Sequence, residues 1–346
     1  HLKEANHQLT KDLDFRIFLA NSPKKDLPPK QDWWQYETFG PKKFWTWTGL
    51  VKRLYLGKPK PDIMFSPSHY GPIISPVPFI TSIMDLGFLR WPNQFKRKDF
   101  MQLRHWTRIS ALNADNILAI SKFTKEDIID TYNISSKKIK VIYPGFEKTS
   151  TKTKSYKKIK QKYKIKDKYI LYLGTLKPSK NITGLVKGFH QLTKQNKLPD
   201  TQLVIAGKKG WLYEEIFKTV KDLNLTNRVI FTGFVDEDEV TPLMANAECF
   251  VLPSFWEGFG IPALETMAAE TPVICSNRGA LPEVVGDAAV LINPDKPKNI
   301  SQAIDKVVSD KKLQQDLIKS GNKQLEKYSW QQTAKQTLEL IINTLK

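Results

Sequence analysis

Cysteine is nearly absent from this 346-residue chain, which has only Cys249 and Cys275, both inside apolar strand-like runs. A disulfide framework therefore does not fit, and a reducing compartment does. No apolar run reaches the length of a membrane span and no secretory leader is visible, so the expected location is cytoplasmic. Acid is scarce: 35 Asp and Glu against 54 Lys and Arg leave a formal charge of +19. That balance favours anionic partners such as nucleic acid, phospholipid headgroups or sugar nucleotides. No zinc finger, RNP-like pair or recognition-helix signature accompanies the charge, so no nucleic acid partner is expected. A Walker loop is missing, and so is a G-x-G-x-x-G with a downstream acid after a first strand. An initiator Met is missing too: the chain opens HLKEANHQLT, as if partway through a helix, and an upstream segment is expected.

What is present is enough for real cores. The chain is 40% apolar, with 18 Phe, 11 Tyr and 9 Trp, and its length suits about two domains of roughly 150 residues. In the first half, FRIFLA (15–20), DIMFSP (62–67), PFITSIM (78–84) and IKVIYPGF (139–146) read as strands. DNILAISKFTKEDIIDTY (115–132) reads as strand, turn and helix, with Ser121 or Thr124 near the cap and acids in the first turn. Residues 152–168 hold nine lysines and one acid, Asp167, and read as a solvated linker plus an amphipathic helix. The second half alternates cleanly. Strands at 169–174, 201–207, 228–233, 248–253, 272–276 and 289–294 are separated by helical patterns at 181–194, 211–222, 238–245, 262–270 and 297–309. This is the pattern of a doubly wound α/β sheet, which binds ligands at the carboxyl ends of its strands.

Four of those strand ends carry unusual residues. After 169–174 comes GTLKPSKN, placing Lys177 and Lys180 before a helix, where an anion would offset their unfavourable position against the dipole. After 201–207, GKKGW offers Gly207 and Gly210 for tight backbone passage. After 228–233, the acidic run Asp236-Glu237-Asp238 looks like a metal-binding D-x-D, but Asp236 with Glu239 reads better as a capping box. The fourth is LPSFWEGFGIPALETMAAETPVICS (252–276): Glu257 lies in a glycine-flanked turn and Glu265 in the early turns of the following helix. Gly258 and Gly260 would expose successive amides. Carboxylates accept hydrogen bonds from hydroxyls, while lysine and amides take a diphosphate. Together the turns suit a nucleotide sugar.

The stretch 253–294, with YILYLGTLKPSKN, LVIAGKKGW, VIFTGFV, ILAISKFTKEDI and IKVIYPGFE, resembles the retaining, GT-B-fold glycosyltransferases of family 4, most like the bacterial mannosyltransferase-like members. The resemblance spans residues 60–335 and is most specific over 169–294. It implies two Rossmann-like domains facing across a cleft: an acceptor domain at 1–150 lacking its first strand and glycine-rich loop, a basic linker at 151–167, a donor domain at 168–325, and a terminal helix at 326–346 that crosses back, with Trp330 as anchor. It also implies roles. Glu257 would meet hydroxyls of the donor sugar, with the amides of Phe259, Gly260 and Ile261 nearby. Glu265 would hold the ribose, Lys180 the diphosphate, and Phe234 and Val235 the base. Thr175 and Ser179 stand where relatives carry a second basic residue, which leaves Lys177 as its stand-in. Many relatives have His-Asp where this chain has Met84-Asp85, so His69 becomes a candidate polar substitute on the acceptor side.

The implied reaction is transfer with retention of a hexose from a GDP- or UDP-sugar to a glycan or lipid-linked saccharide. No metal or other cofactor is required if cationic groups neutralise the diphosphate. A glycosidase pair is disfavoured, because it needs one carboxylate on each side of the scissile bond. Residues 42–60, KKFWTWTGLVKRLYLGKPK, hold six basic residues, several aromatic rings and no acid, which suits peripheral contact with an anionic inner membrane face or a polyanionic glycan. Two other readings stay open: a nucleotide-sugar hydrolase, and a carbohydrate- or polyanion-binding protein without catalysis.

Overall fold

A computed structural model describes residues 13–147 and 155–346. The opening stretch and the lysines at 152 and 154 lie outside the described residues. The chain divides into two units: one holds the residues to Leu89, Arg97–Gly145 and Ser329–Lys346, the other Arg90–Lys96 and Phe146–Tyr328.

In the first unit, β1 (Phe15–Leu19) pairs in parallel with β2 (Trp34–Thr38). The sequence reading missed β2. Its Trp-Gln-Tyr-Glu-Thr alternation was the available signal. Helix α1 (Gly49–Leu56) follows, burying Leu50 and Leu54. Strands β3 (Met64–Ser66), β4 (Phe79–Ile83), β5 (Asn116–Ala119) and β6 (Ile139–Val141) form a four-stranded parallel sheet in sequence order. They alternate with helices α2 (Arg97–Asn113) and α3 (Lys122–Tyr132). Ser121 caps α3, its Oγ accepting from Thr124 N at 3.0 Å. The expected acids are not in the first turn of α3 but one turn later, at Glu126 and Asp127.

The second unit opens with α4 (Tyr156–Tyr163) and then alternates: β7 (Tyr169–Leu173), α5 (Ile182–Lys194), β8 (Gln202–Ala206), α6 (Glu214–Asp222), β9 (Val229–Gly233), α7 (Glu237–Ala245), β10 (Cys249–Leu252), α8 (Ile261–Ala268), β11 (Val273–Ser276), α9 (Leu281–Val285) and β12 (Ala289–Ile292). Helices α10 (Pro297–Ser309) and α11 (Lys311–Leu325) complete it. The six strands are all parallel, in the order β12-β11-β10-β7-β8-β9. Helices cover such sheets on both faces, which is why β8 and β10 are buried end to end and read as nearly unbroken apolar runs. Helix α5 turns Ile182, Leu185, Val186, Phe189 and Leu192 inward at helical spacing. Each such side chain contributes about 1.5–3 kcal/mol when fully buried. The chain runs β7, β8, β9 in one direction, then restarts at β10 on the other side of β7. The order therefore reverses between β7 and β10, and that switch point is where a doubly wound sheet binds its ligand.

Helix α12 (Trp330–Leu345) belongs to the first unit. Its Ala334, Leu338 and Ile341 bury against Ile80 of β4, and Thr333 Oγ1 donates to Tyr143 O at 2.7 Å. The apolar anchor is Leu338, fully buried, rather than Trp330, which is 39% exposed.

Three expectations need correction. The amphipathic helix expected within the basic stretch is α4, but it buries Ile159 and joins the second unit instead of standing apart as part of a linker at 151–167. Glu239 is not half of a capping box: its carboxylate, almost fully buried, accepts from Lys162 Nζ at 2.8 Å and Tyr163 OH at 2.7 Å, and the Asp236 side chain makes no cap hydrogen bond. A carboxylate so buried needs a cation and a hydroxyl more than α7 needs a cap. Finally, Arg90–Lys96 does not lie with the rest of 1–150 but in the second unit. Trp91 stacks on Phe255 with centroids 5.6 Å apart, the Arg90 guanidinium lies 5.8 Å from the Trp256 ring, and Lys96 Nζ lies 5.5 Å from that of Trp211.

Candidate functional site

The site is assembled from the turns that follow β7, β8 and β10. The β7 turn passes through a single tight helical turn, Pro178–Lys180, before α5 begins. It is zipped to the β8 turn by two backbone bonds, Leu176 N to Lys208 O at 3.0 Å and Gly210 N to Leu176 O at 2.9 Å. Gly207 makes this approach possible: its φ is +141°, and a methyl group there would collide with the Gly174 carbonyl. On the other side, Asn181 Nδ2 donates to Pro253 O at 3.2 Å and Pro294 O at 2.7 Å, tying the start of α5 to the end of β10.

Across the β7–β10 switch point, Lys180 Nζ donates to Glu257 Oε1 at 2.6 Å. Ser254 Oγ donates to the same oxygen at 2.8 Å. Lys180 and Glu257 keep only 18% and 12% of their side-chain surface exposed, so most of the pair is out of water. Beneath it lies Tyr172, fully buried, whose phenol pKa is held well above its usual range by burial and then by the Glu257 charge. The same two causes push up the Cys275 thiol. The Glu257 main chain is fixed as well, because Ala280 N donates to Glu257 O at 3.0 Å.

Gly258, Phe259 and Gly260 are buried in the turn that follows. The Phe259 ring is a core group, edge-on to Tyr328 at 5.5 Å. Gly260, with φ +106°, caps α8, and a side chain on it would meet Leu281. Ile261 is exposed at the first position of α8. Glu265 lies one turn further along. It is half-buried, and its carboxyl pKa is raised, first by burial and then by the charge of Glu237. Lys177 stands at the start of the Pro178–Lys180 turn. Phe234 and Val235 follow β9, two strands from the switch point; Phe234 is 70% exposed and Val235 buried.

Of the residues picked from sequence, Lys180 and Glu257 thus touch each other, while Gly258–Ile261 and Glu265 continue the same segment. Lys177 and Gly207 sit on the neighbouring turns. Sequence reasoning missed Ser254, three residues before Glu257 in the quoted turn, and Gln94, whose Oε1 accepts from Ser179 Oγ at 3.1 Å. Ser254 was visible by its spacing. Gln94 had no local signal. Among the described residues, no three His, Cys, Asp or Glu side chains converge as a metal site.

His69 and Asp85 lie in the first unit, beyond the carboxyl ends of the adjacent strands β3 and β4. Asp85 Oδ1 accepts from Gly87 N at 2.7 Å. His69 is edge-on to Phe88 at 6.3 Å, and its Nδ1 is buried without a hydrogen-bond partner. Burial lowers the imidazole pKa, against a smaller opposing pull from Asp85.

Residues 12–149 match the family model described as Glycosyltransferase Family 4, and residues 155–324 match that of Glycosyl transferases group 1. The chain belongs to the family 4, group 1 glycosyltransferases. It is 29% identical over 271 residues to the O-antigen chain mannosyltransferase B of Escherichia coli, an alignment covering 75% of this chain and 68% of the relative. Its fold is GT-B, similar to that of sucrose-phosphate synthase from Thermosynechococcus elongatus (TM-score 0.72, 19% identity, covering 99% and 91% of the two chains). It is likewise similar to Anabaena HepE solved in complex with UDP-glucose (TM-score 0.70, 18% identity, covering 90% and 86%).

Proposed function

We propose that the chain is a retaining glycosyltransferase that moves a hexose from a nucleotide-diphosphate sugar to a hydroxyl of a glycan or lipid-linked saccharide. The observation that carries this reading is the Lys180–Glu257 pair at the switch point of the second unit. A cation and a carboxylate held side by side match the two ends of the bond to be broken. Lys180 takes the diphosphate, and Glu257, oriented by Ser254, takes hydroxyls of the sugar. Glu265 takes the ribose hydroxyls, while the amides of the Gly258–Ile261 turn, Lys177 and Gly207 line the phosphate path, with Phe234 and Val235 toward the base.

In the reaction, the bond from the anomeric carbon to the diphosphate oxygen breaks and a bond to the acceptor oxygen forms on the same face. The acceptor's proton passes to the departing diphosphate. Negative charge grows on that leaving group, so Lys180 binds the transition state more strongly than the ground state. The name of the Escherichia coli relative favours mannose, and HepE, whose fold is similar, was solved with UDP-glucose. The test is a panel of UDP- and GDP-sugars offered with saccharide acceptors and read by mass spectrometry. Transfer from at least one donor is expected; hydrolysis without transfer would favour the hydrolase reading, and no donor binding the non-catalytic one.

On the acceptor side, His69 and Asp85 are the polar groups of the first unit we assign to the incoming saccharide. Residues 42–60 support peripheral contact with an anionic bilayer. Phe44, Tyr55 and Leu56 are exposed there alongside Lys42, Lys43, Lys52, Lys58 and Lys60, while Leu50 and Leu54 are spent on the core. Flotation with anionic vesicles at moderate salt should carry the protein upward, and failure to float removes this contact.

A further inference from the structure

The 90–96 segment is a strap laid over the strand-end turns of the second unit. It touches three of them: the β7 turn through Gln94 and Ser179, the β8 turn through Lys96 and Trp211, and the β10 turn through Trp91 and Phe255. Its middle is wound into a tight turn, Pro92–Gln94, that drives Gln94 inward until it is 4% exposed. There the amide is only half used. Oε1 accepts from Ser179 Oγ at 3.1 Å, whereas Nε2 is buried with no hydrogen-bond partner.

Leaving a buried amide NH2 unpaired costs about 1–3 kcal/mol. Holding Ser179 does not require it, since any acceptor would serve. The amide sits against the residue next to Lys180, whose ammonium is engaged by Glu257. A diphosphate that draws Lys180 away from Glu257 brings acceptor oxygens to this turn.

We propose that Gln94 is a donor-binding residue: its Nε2 hydrogen-bonds an oxygen of the nucleotide-diphosphate sugar when Lys180 releases Glu257, while its Oε1 keeps Ser179 and the β7 turn in register. This rests on the donor-site reading of the second unit given above. It assigns a ligand contact to a residue from the amino-terminal half of the sequence.

The test uses the full chain and titration calorimetry with UDP and GDP, comparing Gln94→Met, Gln94→Ala and Ser179→Ala. Gln94→Met fills the same space without adding charge, and it can neither donate to a ligand nor accept well from Ser179. It should weaken binding of the preferred nucleotide about tenfold or more, in line with a lost hydrogen bond to a charged group. Ser179→Ala keeps the amide and loses only the Ser179 bond, so it should weaken binding less than about threefold. Wild-type affinity in Gln94→Met, or equal losses in Gln94→Met and Ser179→Ala, overturns the proposal and leaves Gln94 a structural residue. If the unmodified chain binds neither nucleotide, the donor-site reading itself falls, and this inference with it.

Discussion

Lys180 Nζ rests 2.6 Å from Glu257 Oε1, so the two charges proposed for opposite ends of a glycosyl donor neutralise each other across the β7–β10 switch point. A preformed pair keeps both groups oriented at low cost, since neither charge waits unpaired in a mostly buried site. Under the proposed assignment, donor binding exchanges one partner for another.

That exchange predicts a pattern in a double-mutant cycle. Lys180→Ala alone strands a largely buried carboxylate and should cost about 2 kcal/mol of stability, discounted for residual exposure. Adding Glu257→Gln should restore most of it, giving a clear coupling energy. Nucleotide-sugar affinity should not recover in the double variant. Denaturant titration and calorimetry check the two halves separately. If the double variant binds donor as the unmodified chain does, Lys180 has no role in holding the diphosphate.

Glu265 supplies a pH signature. Burial and Glu237 raise its carboxyl pKa in the folded chain. The folded state thus holds that proton more tightly than the unfolded chain, and the resulting stability is present at low pH and lost as pH rises through the raised pKa. At neutral pH the ionised group is a cost. Glu265→Gln should therefore raise the thermal midpoint by about 2 °C, for roughly 1 kcal/mol. It should also weaken donor binding, because the proposed site has ribose hydroxyls donating to this carboxylate. In the unmodified chain, donor affinity should fall as pH drops through that pKa, with proton release on binding detectable in buffers of different ionisation enthalpy. By contrast, Glu257→Ala should act mainly on kcat. A flat pH profile would remove Glu265 from the site.

His69 should be neutral at physiological pH, because burial outweighs the attraction of Asp85. Its folded pKa lies below the unfolded value of about 6.5, so the stability it contributes is present above that value and lost as pH falls through the lowered one. Nitrogen-15 chemical shifts of the imidazole should report the neutral form at pH values where free histidine is already protonated. His69→Gln should flatten this acid-side loss of stability and, if the acceptor assignment holds, raise the KM for acceptor while leaving nucleotide affinity unchanged. An unchanged acceptor KM would return His69 to a structural role.

Much of the fold was legible because a doubly wound sheet advertises itself locally. Strands covered on both faces must be apolar throughout, so the runs from Tyr169 to Ile292 could be read one by one, and helices such as α5 and α10 fell within a residue or two of their predicted ends. Strand β2 escaped because its Gln35 and Glu37 dilute the apolar signal, and its partner β1 lies some way back in the sequence. Helix α4 was legible as amphipathic, but its place in the second unit was not. Its lysines look like a solvated linker until Glu239, buried in α7, is seen to need one of them.

The residue types and spacing around Lys180, Glu257 and Glu265 determined by themselves that a lysine-bearing turn and a glutamate-bearing glycine turn exist, each at a strand end. Only the tertiary structure decided that they meet. Lys180 and Glu257 are 77 residues apart, and they touch because β10 returns to pair with β7 instead of extending the sheet beyond β9. Likewise, nothing local to Gln94 could assign it to the second unit, because its partner Ser179 lies 85 residues away. Periodicity and turn chemistry are properties of neighbouring residues, whereas strand order and strap placement follow from which apolar faces can be buried together.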